Sequence, residues 1–188
     1  MRNLLREPAA GYSWAVVLIA GGALTLALPS AHWPGTPQVV ALCLASIAAN
    51  ALMVPMPAGG YQTFGPAVAA AGLALLGAPA TALAMAVGVI LGTGVPYRRS
   101  LQLTLFNAGQ SALAVLAARA IAHLLFPTPG DWTQPVFLGR IDTPFALAML
   151  AAMVAFVFVS STLVSWRITV DRRASIVSVL GANVPLEV

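Results

Sequence analysis

The chain has 188 residues, of which 60% are hydrophobic and only 7% are charged. A soluble domain carries roughly a quarter of charged residues, so the composition excludes a soluble globular protein and indicates one bundle of helices in a membrane. The formal net charge of +4 comes from nine arginines and no lysine, balanced against five acidic residues. These arginines stand mostly at the ends of apolar segments, a distribution typical of membrane orientation and not of nucleic-acid binding.

Six apolar segments, separated by Pro, Gly and Arg, follow one another along the chain. They cover approximately residues 12–28, 37–54, 63–76, 80–95, 101–126 and 144–166. A spanning helix needs about 17 to 25 residues, so the third and fourth segments are short and are expected in the protein interior or beside thin membrane. The first segment has some features of a signal peptide, but we expect it to be retained as a helix. The sequence thus predicts an all-α integral membrane protein with six transmembrane helices.

The arginines predict the orientation of this bundle. With six crossings, all the arginines that flank the first, fourth and sixth segments fall on one side: Arg2, Arg6, Arg98, Arg99, Arg167, Arg172 and Arg173. The positive-inside rule makes that side cytoplasmic, so both termini are expected in the cytoplasm. Trp14, Tyr97 and Trp166 are expected at the same interface. Residues 1–166 would form the bundle and 167–188 a short cytoplasmic helix lying on the membrane surface.

Three amides lie inside apolar segments, where lipid offers them no hydrogen-bond partner. They are Asn50 on the second segment and Asn107 with Gln110 on the fifth. Asn107 and Gln110 are three residues apart and share one face of a helix. Ser160 and Ser161 lie at a similar depth on the sixth segment. Two interpretations stay open: a clamp of interhelical hydrogen bonds, each worth about 0.6 kcal/mol, or a pocket for a ligand or signal.

Arg119 is a charged residue well inside the fifth segment, and His123 follows it one turn later. Nine residues separate Arg119 from Gln110, which places the two on opposite faces of a helix. Both Arg119 and His123 lie toward the outer end. We expect Arg119 to extend outward to the surface or to pair with Asp131 or Asp142; recognition of an anionic ligand at the outer face is the alternative.

The fourth segment carries a stripe of small residues spaced four apart: Ala80, Ala84, Gly88 and Gly92. Such a stripe lets another helix approach closely and predicts a packing face. Acidic residues are absent from the apolar segments, and the sequence contains neither a phosphate-binding glycine loop nor His or Cys at metal-ligand spacing. We therefore predict no enzymatic activity, no cofactor and no metal.

Several stretches resemble a known type of membrane module. They are residues 75–80, Tyr97-Arg98-Arg99, residues 105–110 with the Phe-Asn-x-x-Gln element, and residues 158–164. Over roughly residues 37–183 the chain resembles the multi-pass module at the N-terminus of bacterial signalling proteins with diguanylate cyclase, cyclic-dinucleotide phosphodiesterase or histidine kinase output domains. The resemblance implies a sensory module in the bacterial inner membrane that acts through a partner or a fused output domain.

In size and topology the chain is also similar to the substrate-binding subunits of energy-coupling-factor vitamin transporters. Those subunits have an alanine-rich docking helix, which Ala23 and Ala27 of this chain faintly resemble. This is an analogy of fold alone. Three functions therefore stay open: a sensory or ligand-binding module, a solute-binding subunit of a transporter, and an accessory structural subunit of a larger membrane complex. All three need the lipid bilayer, and the first two need a small-molecule ligand or a protein partner.

Overall fold

The structure is a computed structural model that describes residues 8–29, 35–55, 61–98, 100–127 and 143–172. Most of these residues are helical. The helices are α1 (Pro8–Ala27), α2 (Thr36–Ala51), α3 (Gly65–Leu75), α4 (Ala78–Val89), α5 (Leu101–Leu125) and α6 (Thr143–Arg172). A π-helical turn, Ile90–Gly94, continues α4, and two short antiparallel strands, β1 (Met53–Pro55) and β2 (Tyr61–Thr63), lie between α2 and α3.

Three of the helices are long and apolar enough to cross a membrane. Their candidate spans are Ala9–Ala27, Leu101–Leu125 and Thr143–Val170. The apolar helices Thr36–Ala51, Gly65–Leu75 and Ala78–Gly94 are shorter than a full crossing requires. The expectation of a helical membrane protein is therefore supported, whereas six crossings and two cytoplasmic termini stay predictions.

Helix α5 lies at the centre of the bundle, between α1, α4 and α6. In the 18-residue apolar window of its candidate span, 56% of the residues are buried, compared with 28% for α1 and 22% for α6. The cause is its small side chains, since Ala112, Ala114 and Ala118 are fully buried and allow neighbouring helices to approach. A side chain on α5 therefore reaches the protein interior from most faces of the helix.

The predicted stripe of small residues lies in the contact between α4 and its neighbours. Ala80, Ala84, Gly88 and Gly92 are all buried. A Cβ atom added at Gly88 would lie 2.6 Å from Ser46 Cβ and 2.7 Å from the Ser46 carbonyl carbon on α2. One added at Gly92 would lie 2.5 Å from the carbonyl oxygen of Ile47. The two glycines thus allow the backbones of α2 and α4 to approach closely.

The helical architecture is interrupted in one short region. The second apolar segment was expected to continue as a helix to Val54, but α2 ends at Ala51 and the chain enters β1. Pro55 lacks an amide hydrogen and disfavours α conformation in the residue before it. Pairing of Met53 with Thr63 and of Val54 with Gln62 satisfies backbone groups that a helix could not accommodate at this position.

Helix α6 is longer than the sixth apolar segment. We expected the membrane helix to end at Trp166 and a separate surface helix to follow, but α6 continues without a break to Arg172. The side chain of Arg167 turns back onto α1 and α5, so a charge at this position is compatible with continued packing. The remainder of the predicted tail lies outside the described residues.

Candidate functional site

A hydrogen bond joins the two longest helices through Gln110 of α5 and Ser160 of α6. Gln110 is buried, with 7% of its surface exposed. Its Nε2 donates to Ser160 Oγ and lies 3.4 Å from the Ser160 carbonyl oxygen. Because α5 is central and α6 peripheral, this bond fixes the position of α6 along the core. The sequence prediction that these two residues lie together agrees with the structure.

Asn107 lies one turn before Gln110 and is only half-buried. Within the described part of the chain its amide has no hydrogen-bond partner. Ser161, beside Ser160 on α6, is also half-buried and without a recorded partner among the described residues. The amide of Asn107 has both donors and an acceptor, and it lies next to the bonded pair Gln110 and Ser160. It is therefore suited to binding a polar group of a ligand.

Asn50 belongs to a different group of contacts. Its Nδ2 donates to the Ser46 carbonyl oxygen at 2.8 Å and lies 3.4 Å from Ser46 Oγ, both within α2. Ser46 Oγ in turn lies 3.4 Å from the Met85 sulfur on α4. No hydrogen bond among the described residues connects Asn50 to Asn107 or Gln110. Of the three amides that the sequence grouped by depth, Asn50 and Gln110 therefore belong to two separate hydrogen-bonding groups, and among the described residues Asn107 bonds to neither.

Arg119 does not reach the outer surface, contrary to the expectation that it would extend outward. Its side chain is fully buried, with 0% of its surface exposed. It lies on the central helix, where Ala118 and Ala122 are also fully buried. Asp131 and Asp142, its predicted partners, lie outside the described residues. The burial argues against extension of this side chain to the outer surface, whereas its pairing with Asp131 or Asp142 and the outer-face charge site stay predictions.

His123 is half-buried, one turn beyond Arg119 on α5. Its Nδ1 atom is buried and has no hydrogen-bond partner among the described residues. Leu124 and Leu125 beside it are exposed, so the end of α5 emerges from the bundle at this level. The histidine and the arginine thus differ in environment although they share a helix face.

A second polar group, which the sequence analysis missed, joins the beginnings of α1 and α5 to the end of α6. Arg167 Nε donates to Ser13 Oγ at 3.1 Å, and its guanidinium lies 5.0 Å from the centroid of the Phe106 ring. Tyr12 donates from its hydroxyl to the Leu163 carbonyl oxygen at 3.1 Å. Tyr12 and Ser13 therefore contact a single turn of α6. We call Tyr12, Ser13, Phe106 and Arg167 the Arg167 cluster.

The Arg167 cluster could have been found from the sequence by combining two of its predictions. The expected orientation places the start of the first segment and the end of the sixth at the same membrane face. Tyr12 and Ser13 are the first hydrogen-bonding side chains of the first apolar segment, and Arg167 directly follows the sixth. What the sequence did not reveal is that the guanidinium turns inward onto Phe106 instead of outward to water.

Three hydroxyls near this end of the bundle are buried without a hydrogen-bond partner among the described residues: Thr104 Oγ1, Ser165 Oγ and Thr169 Oγ1. Thr104 lies on α5 one turn before Asn107, and the other two lie on α6 one and two turns after Ser160 and Ser161. Leaving a buried hydroxyl without a partner costs about 1–3 kcal/mol. A polar group that hydrogen-bonds to one of these hydroxyls would therefore be stabilised there.

Comparison of the chain with protein-family models, with curated proteins and with solved structures finds no match.

Proposed function

We propose that this chain is a non-enzymatic sensory or ligand-binding module of a bacterial inner membrane, with six crossings and both termini in the cytoplasm, that acts through a protein partner or an output domain. The observation that carries this proposal is the arrangement around Gln110. Its bond to Ser160 joins the central helix to α6, and the half-buried amide of Asn107 lies one turn away without a partner among the described residues.

The mechanism follows from how weak such a bond is. An interhelical hydrogen bond in a membrane contributes about 0.6 kcal/mol, so a ligand that bonds to Asn107 and to Gln110 or Ser160 can compete with it. A ligand shifts a conformational equilibrium only through different affinities for the two states. In this proposal the ligand favours the state in which Ser160 has separated from Gln110, and α6 carries the displacement to Arg172 without interruption.

The side chains also indicate the chemical class of the ligand. Asn107, Gln110, Ser160 and Ser161 offer amides and hydroxyls, which donate and accept hydrogen bonds but carry no charge. Such groups suit an uncharged polar molecule with both donors and acceptors. A charged ligand in the apolar bundle would need a compensating charge beside it.

The displacement of α6 can be measured with a pair of spin labels. In a Cys43→Ser background, labels at Val95→Cys, beside the π-helical turn, and Val170→Cys, near the end of α6, report the position of α6. We expect Ser160→Ala to shift or broaden the distribution of label distances, since it removes the acceptor for Gln110. Ser161→Ala is the matched control, because this neighbouring serine makes no recorded bond to Gln110. Identical distributions in all three proteins would contradict the proposal.

The ligand itself can be sought by purifying the chain in lipid nanodiscs and analysing extracted small molecules by mass spectrometry. We expect a polar molecule in the native chain that is lost in Asn107→Leu while the bundle keeps its helical circular dichroism. A retained molecule in Asn107→Leu would overturn the assignment of this site. Copurification with an ATPase partner would instead favour a solute-binding transporter subunit, and residence in a large assembly without a ligand would favour an accessory structural subunit.

A further inference from the structure

We propose that the Arg167 cluster is a binding site for the phosphate of an anionic lipid headgroup. This inference is independent of the proposed ligand site at Asn107 and Gln110. It rests on how the guanidinium is held and on its level at the end of the bundle, beyond the exposed apolar part of α6 and beside two aromatic residues.

The guanidinium of Arg167 is fixed in direction by two contacts. Its Nε donates to Ser13 Oγ, and its Cζ lies 5.0 Å from the centroid of the Phe106 ring. Ser13 is itself fixed, since its hydroxyl donates to the Ala9 carbonyl oxygen at 2.8 Å and is fully buried. With Nε engaged, the two Nη groups form the remaining edge of the fork. That edge matches two oxygens of a phosphate.

Arg167 lies at the level in the membrane where lipid headgroups are expected. Trp166, immediately before it, is half exposed, and Tyr97 at the same end of the bundle is 48% exposed. Aromatic residues with a polar atom are typical of the level where acyl chains meet headgroups. Two to three turns before Arg167, Val157 and Phe158 of α6 are 54% and 70% exposed. These residues give α6 an apolar surface at the level of the acyl chains, so Arg167, two to three turns further along, lies at the level of the lipid phosphates.

The level of the cation in the membrane favours a lipid over a soluble anion. A bilayer holds lipid phosphates at this level, whereas a free phosphate must bind from solution. Anionic lipids attract basic residues near a membrane surface by about 1 kcal/mol per residue, equivalent to about fivefold in affinity.

The test compares phosphatidylglycerol with phosphatidylcholine, since both carry a phosphate but only the first has net negative charge. Binding of each lipid to the detergent-solubilised chain is measured by native mass spectrometry, and the ratio of the two affinities is the readout. We expect Arg167→Gln to lower the preference for phosphatidylglycerol about fivefold. Arg98→Gln is the matched control, because Arg98 is an exposed arginine at the same end that lacks the contacts of Arg167. We expect it to leave the ratio unchanged.

Two further variants test the geometry of the site. Arg167→Lys keeps the charge but loses the Nε bond and the planar guanidinium. Ser13→Ala removes the acceptor that holds Nε. Both variants should lower the preference for phosphatidylglycerol while the chain keeps its thermal stability in phosphatidylcholine. Asp171 follows Arg167 by one turn on α6. If phosphatidylglycerol is preferred only in Asp171→Asn, that carboxylate occupies the guanidinium and the proposal is wrong for the native chain.

The source of the phosphate is decided by competition. Glycerol 3-phosphate, which has the headgroup chemistry without acyl chains, should fail to displace phosphatidylglycerol at equal concentration. Displacement by glycerol 3-phosphate would identify a site for soluble anions. An equal loss of preference in Arg167→Gln and Arg98→Gln would show a diffuse effect of net charge, and either result would overturn the proposal.

Discussion

Adding one methyl group at Gly88 tests whether the contact between α2 and α4 holds the bundle together. In Gly88→Ala the new Cβ would lie 2.7 Å from the carbonyl carbon of Ser46, whereas ordinary contacts of a Cβ begin at about 3.4 Å. Ser46 Oγ and Cβ also oppose the new atom, but rotation of the side chain relieves only the contact with Oγ, so the helices must separate by several tenths of an ångström. Overpacking of this kind costs about 1–3 kcal/mol.

The net effect is the difference between this strain and the better helix propensity of alanine. Alanine in place of glycine inside a helix stabilises by roughly 0.5–1 kcal/mol. Because backbone opposes the new atom, the strain belongs in the upper part of its range, and we expect Gly88→Ala to lower the free energy of unfolding by about 2 kcal/mol. Gly21→Ala on α1 is the control, since nothing lies within 4 Å of its Cβ. That variant should be unchanged or slightly more stable.

The measurement is the loss of helical circular dichroism as sodium dodecyl sulfate is titrated into maltoside micelles. A double variant separates steric strain from lost polar contacts. Ser46→Ala removes only Oγ and leaves the Cβ and carbonyl carbon that oppose Gly88, so it should restore little stability to Gly88→Ala. If Gly88→Ala is as stable as Gly21→Ala, or if Ser46→Ala restores it fully, the close approach of α2 and α4 is refuted.

Two other contacts give predictions of their own. Tyr97→Phe removes the hydroxyl that donates to the Ala51 carbonyl oxygen at 2.9 Å, so it should lower the free energy of unfolding by about 0.5–1.5 kcal/mol in the same titration; an unchanged value would show that water replaces the bond. Gly72→Ala would bring a Cβ to 2.7 Å from Thr81 Cγ2. It should destabilise by about 1–3 kcal/mol, and Thr81→Ala in the same chain should recover most of that loss, since side-chain atoms cause the clash.

The boundaries of the helices were predictable where proline, glycine or charge marks a stop. The fifth apolar segment was expected at residues 101–126, and α5 occupies Leu101–Leu125. Its start is fixed locally, because Ser100 accepts a hydrogen bond from the Leu103 amide. The end of α2 was not predictable in the same way. Pro55 stops a helix at Val54 at the latest, but the earlier end at Ala51 goes with the pairing of Val54 with Gln62, which no local signal predicts.

The candidate site was predicted in part. Gln110 and Ser160 could be brought together from depth along two antiparallel segments, and the structure places them in contact. Asn50 has the same depth but bonds within its own helix, since the π-helical turn and Gly92 pack against it. The contacts of a side chain in a membrane bundle depend on its depth and on the rotation of its helix about the helix axis. In a chain so uniformly apolar, sequence periodicity constrains that rotation poorly.

Composition alone predicted the class of this protein, because 60% of its residues are hydrophobic and only 7% are charged, far below the roughly one quarter of a soluble domain. Spacing determined that Asn107 and Gln110 share a face and that Gly88 and Gly92 share another. Only the tertiary structure decided which faces meet. It made α5 the central helix, buried Arg119, and turned Arg167 onto Phe106. Those outcomes depend on which small residues allow helices to approach each other. The sum of the contacts between all the helices decides which of these approaches form.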